Sequence, residues 1–67
     1  MIAISLNGEP SQLASETTVA QLLQQLGYAG KRVAVEMNGE IVPKSQHGQA
    51  KIAQGDRLEI VVAVGGG

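Results

Sequence analysis

The chain has 67 residues, no cysteine, one histidine, and five Lys and Arg against six Asp and Glu, for a formal net charge of −1. A chain this short holds one domain, near the size at which folding buries roughly 60% of the surface that the unfolded form exposes. Disulfides and thiolate metal sites, the usual staples of so small a fold, are excluded. Tyr28 is the only aromatic residue and no basic stripe is visible, which disfavours nucleic acid as a partner. No apolar run approaches the roughly 18 residues of a membrane span. Met1 leads directly into IAISLNG with no basic, apolar and cleavage-site succession, so a cytoplasmic protein is expected.

In chain order, Ile2, Ile4 and Leu6 alternate with Ala3 and Ser5 and predict a strand. Asn7-Gly8 supplies the positive φ angles of a tight hairpin, and the return strand through Glu9 to Leu13 is expected at an edge because it contains Pro10. Val19, Leu22, Leu23 and Leu26 then fall at i, i+3, i+4 and i+7, one apolar stripe of a helix. Thr18 and Gln21 have capping-box spacing at its start, and Gly27 suits its end. Val33, Val35 and Met37 predict a third strand, Asn38-Gly39 a second tight turn, and EIVP a fourth strand. The polar stretch KSQHGQAKIAQ carries no apolar stripe and accommodates at most a short helical turn. Gly55-Asp56 introduces a last strand in which Leu58, Ile60, Val62 and Val64 face the helix, while Glu59, Val61 and Ala63 face away.

One helix among five strands leaves the second helix of a ferredoxin-like fold without a sequence to form it. The economical alternative is an α+β fold of the β-grasp type: a mixed five-stranded sheet with one main helix on one face. Its first and last strands lie side by side in parallel at the centre, and the crossover is right-handed.

The stretches LNGE, TTVAQLL, VAVEMNGEIVPK, GDRLEIV and VGGG, in this order over nearly the whole chain, resemble the ThiS/MoaD family of ubiquitin-like sulfur carriers. The middle motif is closer to the branch serving thiamine thiazole synthesis than to the molybdopterin branch, whose members tend to be longer. Gly65 ahead of the paired Gly66 and Gly67 departs from a plain Gly-Gly ending, and VGGG is compatible with the family. The resemblance implies a β-grasp domain over residues 1–64 and a flexible glycine tail over 65–67. It implies that a ThiF-like activating adenylyltransferase uses ATP to adenylate the carboxylate of Gly67. A sulfur donor such as a cysteine desulfurase then supplies the atom for a thiocarboxylate, which thiazole synthase (ThiG) accepts. Gly65 and Gly66 would thread the tail into the partner's active site. The chain itself would be a cosubstrate with no catalytic residue, no metal and no permanently bound cofactor. A molybdopterin-type carrier, or a modifier conjugated to other proteins through the same glycine, are the alternatives.

The tail also has a physical rationale of its own. An α-carboxyl group with a pKa of about 3.3–3.7 is an anion at neutral pH and a poor electrophile, so it needs activation before a nucleophile attacks. Three extended residues without Cβ atoms reach about 10 Å through a narrow channel. Taken alone, terminal glycines are more often frayed ends; their company with the other motifs favours the functional reading. His47 reads as a solvated loop residue, and Glu36, Glu40 and Asp56 as turn or solubilising residues. Val61 and Ala63, apolar on the outer side of the last strand, are candidates for a patch that docks the partner enzymes.

Overall fold

A computed structural model describes residues 1–63. Strand β1 (Ile2–Leu6) turns into β2 (Glu9–Leu13), helix α1 (Val19–Gln25) follows, then β3 (Val33–Met37), β4 (Glu40–Ile41), a single 3₁₀ turn (Lys44–Gln46) and β5 (Arg57–Val62). The five strands form one sheet in the order β2-β1-β5-β3-β4. The central pair β1 and β5 is parallel, with Ser5 opposite Arg57, and the other neighbours are antiparallel. This is the expected β-grasp, mixed sheet and single helix included.

Both hairpins turn on Asn-Gly with positive φ at each central residue: 51° and 84° at Asn7 and Gly8, 55° and 86° at Asn38 and Gly39. These angles match the strand twist, and asparagine and glycine are the residues that tolerate them most readily. Pro10 sits opposite Ser5 on edge strand β2, where its missing N–H costs no central ladder bond. Thr18 closes the capping box: its Oγ1 accepts from the Gln21 N–H at 3.2 Å, and the Gln21 side chain accepts from the Thr18 N–H at 2.9 Å.

The core joins Val19, Leu22 and Leu23 of the helix to Ile4, Leu13, Val35, Leu58 and Ile60 of the sheet and to Ile52. Leu26, the expected fourth member of the helical stripe, is 37% exposed instead. The helix ends at Gln25 with Leu26 as its C-cap, and Gly27 at φ 81° redirects the chain. The Tyr28 N–H then bonds to the Leu23 carbonyl at 2.8 Å, and Tyr28 packs against the core, partly buried.

The polar stretch after β4 is far from idle. The Val19 N–H donates to the Ala50 carbonyl and the Ala20 N–H to the His47 carbonyl, each at 2.9 Å. Two of the N–H groups that a helix leaves unpaired at its start are thereby satisfied from outside the helix. The Ile52 N–H reaches the Thr17 carbonyl at 2.9 Å, and the Ile52 side chain, 3% exposed, plugs the core. His47 is consequently buried at 8% exposure, with its Nε2 3.1 Å from the Val42 carbonyl, and is not the solvated loop residue expected. No helix among the described residues is long and apolar enough to cross a membrane.

Candidate functional site: the end of the last strand

The predicted reactive residues Gly65, Gly66 and Gly67, the residue Val64 and the proposed boundary between residues 64 and 65 all lie outside the described residues. What the structure describes is the strand that precedes them. Strand β5 occupies the middle of the sheet, and its register with β3 runs from Leu58 opposite Met37 to Val62 opposite Val33. One residue further, the Ala63 N–H donates to the Arg32 carbonyl at 2.9 Å, so β3 and the residue before it hold this edge to the last described position.

The other edge of β5 is built differently. The β1 register stops at Leu6 opposite Leu58, and the chain then turns away toward β2. Asn7 extends the ladder with its side chain: its Oδ1 accepts from the Ile60 N–H at 2.8 Å and its Nδ2 donates to the Ile60 carbonyl at 3.4 Å. The amide side chain thus stands in for one more residue of parallel strand. On the opposite side Asn38 braces the start of β5, accepting from the Arg57 N–H at 2.9 Å and donating to the Asp56 carboxylate at 3.1 Å. Asp56 also accepts from the Ala53 N–H at 2.8 Å, a turn-fixing role as expected. Sequence reading identified both asparagines as turn formers and missed this second use; their position next to a central strand is the signal that points to it.

Alternation along β5 buries Leu58 and Ile60 and turns Glu59, Val61 and Ala63 outward. Val61 is 66% exposed and lies opposite Ala34 on the uncovered sheet face, which makes a small apolar area beside the end of β5. Glu36 and Glu59 face each other directly on the same side. Among the described residues the ion pair formed is Lys51 with Glu16 at 3.6 Å, so neither of these facing carboxylates is neutralised by a close cation. Like charges directly opposite are destabilising in a sheet. No three or more His, Cys, Asp and Glu side chains among the described residues are grouped to hold a metal ion.

The geometry is therefore that of a central strand held by β3 and Arg32 up to Ala63, with an exposed apolar patch beside its end. Comparison with known proteins agrees with this arrangement. The model of the ThiS family matches residues 4–67. The Escherichia coli sulfur carrier protein ThiS is 33% identical over 64 residues, which cover 96% of this chain and 97% of that protein. The crystal structure of a thiamine biosynthesis protein (ThiS) from Geobacter metallireducens superposes with a TM-score of 0.83 at 32% identity, covering 98% of this chain and all of that one. A thiazole synthase of Paramagnetospirillum magneticum is 48% identical over 62 residues; the match takes in 92% of this chain and 19% of that protein, so the chain spans about a fifth of the length of this longer relative. Matched from residue 4 to residue 67 and alike in fold, the chain belongs to the ThiS family.

Proposed function

We propose that the chain is a sulfur carrier for thiamine thiazole synthesis that holds the sulfur at the carboxyl carbon of Gly67. The observation that carries the reading is the run of the family match through Gly67, joined to the central position of β5, the strand that ends just before Ala63. A carboxylate oxygen of Gly67 attacks the α-phosphorus of ATP in a ThiF-like adenylyltransferase, pyrophosphate leaves, and the acyl-adenylate becomes open to a sulfur nucleophile that displaces AMP. Without activation the anion repels such a nucleophile. The sulfur comes from a donor such as a cysteine desulfurase: the terminal sulfur of its persulfide attacks the activated carbonyl and displaces AMP. A second thiol then cleaves the S–S bond to leave a disulfide and the thiocarboxylate, and thiazole synthase takes the sulfur from there. A segment similar to this chain within a protein named thiazole synthase supports that pairing, since a carrier gains effective concentration when joined to its acceptor. The chain acts as a cosubstrate, with Gly65 and Gly66 as the thread and Val61 and Ala63 as the docking patch for the enzymes that use it.

Deletion of Gly67 tests the proposal. It withdraws the terminal carboxylate by about 3.3–3.6 Å. Misplacement by even 1 Å is enough to cost about 100-fold, so ATP–pyrophosphate exchange with the activating enzyme should fall at least that far. Thermal unfolding should not change. Adding one residue after Gly67 should be as damaging. Intact-mass measurement of the unaltered chain with enzyme, ATP and a sulfur source should show oxygen exchanged for sulfur. Undiminished exchange in both the shortened and the lengthened chain overturns the assignment.

A further inference from the structure

On the helix side of the molecule, away from the exposed sheet face, the flank of α1, residues 28–33 and the 3₁₀ turn line a half-open cavity of about 290 Å³. Leu23, Tyr28 and Val33 give it an apolar lining, and Lys31, Arg32 and Lys44 line it as well. Three of the five cationic residues of a chain with net charge −1 are thus gathered at one cavity, whereas none of its six Asp and Glu lines it among the described residues. Nor does any of the three take part in the ion pair found among those residues. The surrounding backbone is tied down: the Lys31 N–H bonds to the Tyr28 carbonyl at 3.0 Å, and the Ala20 N–H to the His47 carbonyl at 2.9 Å.

Size narrows the occupant. Pockets for drug-sized ligands run from about 300 to 1,000 Å³, which places this cavity at the lower limit. It suits one bulky side chain better than a nucleotide. The apolar lining asks for an apolar group and the cations ask for negative charge around it. We infer that this cavity is a docking site for an acidic peptide segment of a partner protein, with one aliphatic or aromatic side chain inserted between Leu23, Tyr28 and Val33 and carboxylates beside Lys31, Arg32 and Lys44. The inference does not depend on the chemistry of Gly67. It also has a spatial consequence, because the Arg32 carbonyl holds Ala63: a segment docked here sits beside the end of β5.

The test is backbone-amide NMR of the full chain titrated with the capped peptide Glu-Glu-Leu-Glu-Glu. Saturable shifts should centre on Leu23, Tyr28 to Val33 and His47, with a Kd of about 1 mM or tighter. Replacing the central leucine by glycine should weaken binding at least about ten-fold, as expected for burial of one leucine side chain. The neutral peptide Gln-Gln-Leu-Gln-Gln should also bind more weakly, and the advantage of the acidic peptide should shrink in high salt. The Lys31→Glu/Lys44→Glu variant, checked for an unchanged fold by its dispersed spectrum, should lose the acidic peptide and retain the neutral one. No saturation by about 10 mM, a range far weaker than specific docking, overturns the inference. So do equal binding of the neutral peptide, shifts centred elsewhere, and inorganic phosphate giving the same shifts with equal strength.

Discussion

Replacing Asn7 by glycine separates the two jobs of that residue. Glycine keeps the left-handed turn, so the hairpin geometry is undisturbed, but it removes both side-chain bonds to Ile60. Loss of the 2.8 Å bond leaves a buried strand residue with an unanswered N–H, a cost of about 1–3 kcal/mol. The added freedom of glycine in the unfolded chain costs roughly 0.5–1 kcal/mol more. The 3.4 Å bond is long and adds little. A loss of about 2 kcal/mol is expected, and for a domain of this size it lowers Tm by about 8–16 °C. Asn7→Asp retains the acceptor for the Ile60 N–H and should lose less than half as much, about 1 kcal/mol at most. Urea unfolding of the three proteins gives the magnitudes. Hydrogen exchange gives the location, since Ile60 should lose protection in Asn7→Gly ahead of its β5 neighbours. If Asn7→Gly stays within about 0.5 kcal/mol of the unaltered chain, below the cost of an unmade buried bond, the side-chain extension of the ladder contributes nothing and the argument is wrong.

Relief of the facing carboxylates by Glu59→Gln should stabilise the fold by about 0.2–1 kcal/mol in urea unfolding at low salt, with the gain shrinking in high salt; a loss of stability would mean that Glu59 is better accommodated than its register implies. Val61→Asp should leave Tm nearly unchanged, because the side chain is already 66% exposed, and should weaken binding to the activating enzyme or thiazole synthase at least about ten-fold if the patch is central to docking. Unfolding of the variant would assign Val61 to the core, and full binding would remove it from the interface.

The features legible in the sequence were those decided locally. Asn-Gly fixes a hairpin, and Thr18 with Gln21 fixes a helix start, whatever surrounds them. Strand alternation set the register that buries Leu58 and Ile60 and exposes Val61. What escaped the reading was decided by partners distant in sequence. Leu26 fits a helical stripe, but the stripe says nothing about where the helix stops; Leu26 is the C-cap, and after the turn at Gly27 it is Tyr28 that packs against the core. His47 and Ile52 lie in a polar run with no periodicity. Their burial follows from the need of α1 for carbonyls at its start, which the 47–52 segment supplies along with its own backbone pairing to Thr17. The cavity lined by Lys31, Arg32 and Lys44 was equally invisible, since twelve positions separate Arg32 from Lys44 and only the packing of the 3₁₀ turn against α1 brings them together.

The position of β5 between β1 and β3 also governs how the molecule comes together in time. The hairpins β1–β2 and β3–β4 are local, yet nothing in the sheet joins them except β5. Asn7 and Ile60 are 53 residues apart, and closing so long a loop costs about 1.5 kcal/mol more entropy than closing one of ten residues. Joining should therefore be the slow, concerted event, with the hairpins formed early and the two halves united only when β5 inserts. In stopped-flow refolding, amides of β5 and its partners in β1 and β3 should gain protection together with the global fold and not before it. Strand β5 should thus become ordered in the same step that completes the domain, so an incompletely folded molecule would have no fixed sheet edge up to Ala63.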